Sequence, residues 1–135
     1  MEAKAILKFS QVGPRKVRGV VDMIRGKDAQ EALNILRFSP RHAARIVAKL
    51  LQSAVANASQ KKMGDVELLW VSKATVDSGP VLKRMQPRAR GRSFVIRKRM
   101  SHILLVLSAK EGIVKKARAR VQRQRTQKAK EEVRA

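Results

Sequence analysis

The chain contains no cysteine and no tyrosine, and only one tryptophan and three phenylalanines, in 135 residues. Without cysteine there are no disulfides and no thiolate metal sites, which fits a reducing compartment. With so few rings, base stacking cannot be the main mode of any nucleic-acid binding, and the core has to be aliphatic. The glycines form neither a Walker-type loop nor a dinucleotide fingerprint. No stretch approaches the ~18 continuous apolar residues of a spanning helix. The opening Met1-Glu2-Ala3-Lys4 has no apolar run of the signal-peptide kind. Acid is scarce too: 10 Asp and Glu stand against 32 Lys and Arg, a formal charge of +22 at pH 7.

A self-repelling charge of that size opposes a compact monomer unless a polyanion neutralises it. It is also uneven. Residues 1–79 carry 14 basic and 7 acidic side chains, and residues 80–135 carry 18 basic and 3 acidic. The first part can fold by itself; the second is suited to lie against phosphate, with an anionic membrane as the competing partner.

The densest cationic stretch is GPVLKRMQPRARGRSFVIRKRM, residues 79–100, with eight Lys or Arg and no acid. Val81 and Leu82 at one end and Phe94, Val95 and Ile96 at the other are β-formers. Pro87-Arg88-Ala89-Arg90-Gly91-Arg92 between them reads as a turn. This predicts a long hairpin with basic residues on both faces of both arms. An ordinary solvated surface interleaves both signs. A free two-stranded ribbon is marginal in water, so the segment calls for a polyanion to order it, and RNA fits. Arms of eight to ten residues would project it about 30 Å. Lys83, Arg84, Arg97, Lys98 and Arg99 are its candidate phosphate contacts.

A small domain precedes the hairpin. Lys4–Phe9 alternates, with Ala3, Ala5, Leu7 and Phe9 on one face. Gly13-Pro14 opens a helix in which Val17, Val20, Val21 and Ile24 form an apolar stripe, ended by Gly26. Arg15, Lys16, Arg18 and Arg25 project from its other side; they suit RNA phosphates near a helix N-terminus, and equally a solvated face. Asp28 caps a second helix through Leu36, burying Ala32, Leu33 and Leu36. Ser39-Pro40 begins a third, whose stripe runs from Ala43 through Ile46, Val47, Leu50, Leu51, Ala54 and Val55 to Ala58. Val66–Val76 alternates, placing Val66, Leu68, Trp70, Ala74 and Val76 together as a core face. His102–Leu107 is apolar on both faces, as in a central strand. The expected fold is α+β: a small three-stranded antiparallel sheet with three helices on one side, a long protruding β-hairpin at 79–103 and a basic C-terminal tail. Residues 1–112 form one globular domain including the hairpin, and 113–135 a tail that is helical or disordered.

Catalytic readings find little support. His42 and His102 are 60 residues apart in the sequence, and a structural or phosphate-contacting histidine is the simpler reading of each. Most carboxylates sit beside bases, and no spacing suggests an acid–base pair. Trp70 fits a core position better than a stacking platform. The expectation is a non-enzymatic protein with no cofactor and no metal.

Three stretches carry a family resemblance: GPRKVRGVVDMIRGK at 13–27, SAVANA at 53–58, and above all GPVLKRMQPRARGRSFVIRKRMSHI at 79–103. From about Lys4 to Leu107, in order and spacing, the chain resembles the large-subunit ribosomal protein family numbered twenty-two, in its bacterial form. Gly13 departs from the family's usual Ser, Ser93 from its usual Ala, and the tail exceeds its usual end. The resemblance implies a domain on the outer surface of the large subunit near the tunnel exit, with the hairpin threading between rRNA helices. Its tip, Arg88, Ala89, Arg90, Gly91, Arg92 and Ser93, would line the polypeptide tunnel near its constriction, close to where macrolide antibiotics bind. The implied partners are large-subunit rRNA, neighbouring ribosomal proteins at the tunnel and the nascent polypeptide, with no membrane contact and no homo-oligomer. The implied location is the ribosome, in the cytoplasm or in an organelle. Two other classes stay open on residues alone: a free basic RNA-annealing protein and a cationic membrane-active protein.

Overall fold

In the computed structural model, residues 1–63 and 65–109 are described; the expected end of the domain at Gly112 and the tail at 113–135 lie outside the described residues. The chain runs β1 (Glu2–Ser10), α1 (Pro14–Ile24), α2 (Ala29–Phe38), α3 (His42–Gln60), a 3-10 turn at Val66–Leu68, β2 (Leu69–Pro87), a second 3-10 turn at Ala89–Gly91, and β3 (Ser93–Ala109). The sheet is antiparallel in the order β1-β3-β2. β3 is central and paired along both edges; Ile103, Leu105 and Leu107 on its inner face join the core, and Val106 on the other face is also buried.

The core lies on one face of the sheet. Ala3 and Ala5 of β1, Ile103, Leu105 and Leu107 of β3, and Leu69, Val71, Ala74 and Val76 of β2 are buried against the helices. The α1 stripe Val17, Val20, Val21 and Ile24 is wholly inside. Ala43, Ala44, Val47, Leu50, Leu51, Ala54 and Ala58 of α3 join it. The small alanines let α3 lie close over β1 and β3, while α1 covers β2 and α2 packs on α3. α2 buries Ala29, Ala32 and Leu36, with Leu33 only partly covered.

Both free edges of the sheet are tied down. Gly26, left-handed at φ 77°, turns the chain out of α1 so that its N–H donates to Val71 O at 3.0 Å; Val71 N–H returns to Lys27 O at 2.9 Å. Along β1, Asn57 Nδ2 donates to Lys4 O and Lys61 Nζ to Glu2 O, each at 3.0 Å. Edge carbonyls that would otherwise invite another strand are thereby occupied.

Three expectations are corrected. Phe9 does not share the inner face: a register shift between Leu7 and Ser10 puts Phe9 at φ 57° and turns it outward, 58% exposed, while Ser10 is buried instead. One extra residue in a strand reverses every side chain beyond it. The same physics corrects β2. Val66–Leu68 is a 3-10 turn, and a shift between Val71 and Lys73 reverses the alternation, so Leu69 and Val71 point inward and Trp70 is half-buried outside the core. Finally, Ser39 closes α2 and Arg41 is the N-cap of α3, one residue beyond the Ser39-Pro40 start. Pro40 sits between the two helices.

Candidate nucleic-acid interface

Past Ser78 the β2–β3 ladder leaves the domain. Gly79 and Pro80 form a bulge, and pairing resumes at Val81↔Arg99 and continues to Pro87↔Ser93. Gly is needed at the bulge: a Cβ on Gly79 would lie 3.1 Å from the Met100 carbonyl carbon. The seven rungs beyond the bulge carry the tip about 23 Å along the ribbon at ~3.3 Å per residue. That is shorter than the expected reach because two residues are spent in the bulge. None of the ribbon's side chains is buried; Met85 is 67% exposed, and Phe94 and Val95 half or more.

Strand parity sorts the cations. Arg97 and Arg99 fall on the helix side, in step with the buried Ser101 and Ile103, and Lys98 falls on the other. Lys83 pairs with Arg97 and so shares the helix side; Arg84 pairs with Ile96 on the opposite face. Lys83 directly opposite Arg97 is a like-charge pair that destabilises the bare ribbon. No acid occurs in the sequence between Asp77 and Glu111 to relieve it. A polyanion would.

The tip is a tight turn. Arg88 N–H donates to Arg92 O at 2.8 Å, and two successive left-handed residues, Arg90 (φ 59°) and Gly91 (φ 67°), reverse the chain. Arg88, Ala89, Arg90, Gly91, Arg92 and Ser93 are all exposed. The Arg88 guanidinium sits 6.0 Å from the Phe94 ring centroid, at the outer limit of a cation–π contact.

Where the hairpin root meets the helices there is an open cavity of about 850 Å³. Arg15 and Lys16 enter it from the start of α1, Arg41 from the start of α3, and Arg97 and Arg99 from β3; among the described residues no Asp or Glu lines it. The partial positive charge of two helix N-termini adds to theirs.

The four basic residues expected on α1 therefore divide. Arg15 and Lys16 face the cavity. Arg18 bends back to β2, where Nε and Nη2 donate to Val76 O at 3.3 and 3.1 Å. Arg25 Nη2 donates to Ala74 O at 3.1 Å and its Nη1 pairs with Asp22 at 3.0 Å. Both guanidiniums serve the edge of β2 and keep unused N–H groups for a second partner. Arg41 was not singled out from sequence, yet its Nη1 donates to Gly19 O at 2.9 Å and is held at the cavity. The signal was Gly19, a glycine inside a helix, which marks close approach by a neighbour.

The histidines are far apart in role. His42 lines the cavity. His102 Nδ1 accepts from the Phe9 N–H at 3.0 Å, and the two rings meet edge to face at 4.8 Å. Among the described residues no group of three or more His, Asp or Glu side chains could hold a metal ion, and no helix is long and apolar enough to cross a membrane.

Comparison with known proteins gives a consistent answer. Residues 5–108 match the family model described as ribosomal protein L22p/L17e. The chain is 60% identical over 110 residues to large ribosomal subunit protein uL22 of Syntrophotalea carbinolica, covering 82% of this chain and 100% of that protein. It is 59% identical over 111 residues to the uL22 of Geobacter sulfurreducens, with the same coverage. The uL22 of a Thermoanaerobacter species is 51% identical over 111 residues, again covering 82% of this chain and all of the relative.

Proposed function

The chain belongs to the ribosomal protein L22p/L17e family, and from that premise we propose that it works as a structural constituent of the large ribosomal subunit, bound to the subunit's rRNA through its hairpin and the adjoining helix starts. The family is a structural, non-enzymatic one, and its bacterial members place the site of action in the cytoplasm, within the ribosome.

The observation that carries the binding mode is the ribbon from Val81 to Arg99, which buries no side chain and has no acid of its own. Such a ribbon has little reason to hold together except against phosphate. Arg15, Lys16, Lys83, Arg84, Arg97, Lys98 and Arg99 make phosphate contacts, and Arg18 and Arg25 add to them with the donors their β2 bonds leave over. The contacts are electrostatic and insensitive to sequence, because the deep major groove of A-form RNA cannot be read by side chains. Specificity comes from the fit of the ribbon between RNA elements. The described residues act as one domain with the hairpin as its arm. The exposed tip, Arg88 to Ser93, lines the polypeptide tunnel, where it meets neighbouring ribosomal proteins and the nascent chain.

The deciding experiment is fractionation of cells expressing the tagged chain, in high salt. Stoichiometric sedimentation with large subunits is expected. A free RNA-annealing protein would wash off, and a membrane-active one would pellet with lipid; either result rejects the reading.

A further inference from the structure

The cavity at the hairpin root is lined by three parts of the chain that lie far apart in sequence. Arg15 and Lys16 belong to α1, Arg41 to α3, and Arg97, Lys98 and Arg99 to the hairpin. Arg15, Lys16, Arg41, Arg97 and Arg99 turn five cationic side chains toward one space, and their repulsion pushes the hairpin away from the helices. The hairpin's covalent root, the Gly79–Pro80 bulge, interrupts the ladder on β2. Bulges bend strands, so this root is where the ribbon's angle to the domain is set.

We infer that the cavity takes the sugar–phosphate backbone of one RNA strand, and that filling it fixes the angle of the hairpin to the domain. This rests on the rRNA-binding reading above and adds a receptor and a consequence to it. The lining supports backbone over bases: five cationic side chains face it, and no Phe or Trp is there for a base to stack on. One cation is set in advance, since Arg41 is fixed on Gly19 O rather than free to sweep solvent. A phosphate between Arg41 or Lys16 on one wall and Arg97 or Arg99 on the other converts mutual repulsion into two attractions. The empty cavity favours an open, variable hairpin and the filled one a single closed pose. Filling it would aim the ribbon before it is threaded.

The absence of cysteine makes the test direct. Phe38, 86% exposed at the end of α2, and Ser93 at the end of the ribbon are replaced by Cys in the full chain and spin-labelled. The probe is a twelve-nucleotide oligouridylate, with an RNA duplex of equal length as comparison. A broad label-to-label distance distribution is expected without RNA and a narrow one with oligouridylate. In K16Q/R41Q, both exposed positions outside the hairpin, the oligouridylate should still bind but the distribution should stay broad. The slope of log affinity against log salt should fall by about 1.4, the loss of two contacts to a single strand. Circular dichroism and thermal melting of the variant check that the domain is intact. R97Q/R99Q, on the opposite wall, is the second variant and should give the same broad distribution. Narrowing in both variants as in the parent, or no narrowing in the parent, overturns the inference. So does narrowing with the duplex alone. Those results leave co-sedimentation with large subunits untouched, whereas failure of co-sedimentation would reject the ribosomal reading itself.

Discussion

Arg41 Nη1 and Gly19 O are 2.9 Å apart, a hydrogen bond between the start of α3 and the middle of α1 across 22 residues of sequence. Gly19 is what makes it possible: a Cβ there would stand 3.1 Å from that nitrogen. The neighbour that must give way is the flexible end of an arginine, and alanine is worth roughly 0.5–1 kcal/mol over glycine inside a helix. Gly19→Ala should therefore raise the stability of the domain slightly while weakening RNA binding, as Arg41 is displaced from the cavity. Urea denaturation paired with RNA titration measures both. A variant that loses stability, or gains it with no loss in RNA affinity, would show that the contact has no part in binding.

Gly79 is the opposite case. There the obstacle is the backbone of Met100, with the added Cβ at 3.1 Å from its carbonyl carbon and 3.2 Å from its oxygen. Backbone in a paired strand does not rotate aside. Gly79→Ala should cost on the order of 1–3 kcal/mol, the usual range for overpacking. The damage should localise to the hairpin root, visible as amide shift changes around Ser78 and Met100 rather than in α2. Stability equal to the parent would mean the bulge tolerates a side chain.

β3 tests how sharply the domain ends. Ile103 is fully buried and Ile96, seven residues earlier on the same strand, is 36% exposed. Ile103→Ala should cost about 2–5 kcal/mol. Ile96→Ala should stay within about 0.5 kcal/mol of the parent. Chemical denaturation of the two variants side by side decides it; equal losses would mean that the ribbon is packed against the domain in solution.

Much of this architecture was legible in the residues, and the misses share one cause. The stripes of α1 and α3 and the apolar run of β3 are periodic, and periodicity survives small errors of phase. Phe9 and Trp70 were misplaced because a bulge adds one residue without leaving a sequence mark, and everything beyond it changes face. The hairpin was legible because turn residues and charge both marked it. Arg41 was not, because its importance lies in a contact 22 residues away. Its only local trace was Gly19 on a different helix. Nor could a count of charges tell Arg15 and Lys16, which face the cavity, from Arg18 and Arg25, which bond to β2 carbonyls.

In the isolated protein the ribbon should behave as the weakest part of the fold. Lys83 faces Arg97 across the ladder and no side chain between Val81 and Arg99 is buried. Local opening there costs few apolar contacts. Hydrogen exchange should leave the amides of Val81–Ile96 unprotected in the free chain, while the buried face of α3 from Ala43 to Ala58 is protected. On binding large-subunit rRNA, protection should spread along the ribbon. Strong protection before any RNA is added would mean that the ladder is stable by itself, and that the polyanion is not what orders it.

The tip should matter to the tunnel and not to the fold. Arg88, Arg90 and Arg92 are exposed, and the turn is closed by backbone: Arg88 N–H to Arg92 O, with Arg90 and Gly91 left-handed. The one side-chain interaction these arginines make within the tip is the distant Arg88–Phe94 contact, worth about 0.5–1 kcal/mol at an exposed site. Alanine at Arg90 meets the same left-handed cost that arginine already bears, so the turn should close as before. Replacing all three arginines with alanine should leave the melting temperature of the domain and the yield of large subunits close to the parent. Three positive charges would nevertheless be gone from the tunnel wall. Ribosomes carrying the variant should respond differently to stalling nascent chains and to macrolides, measured per assembled particle. If subunit yield collapses while both responses per particle stay at the parental level, the tip is an assembly element and its placement on the tunnel wall is wrong.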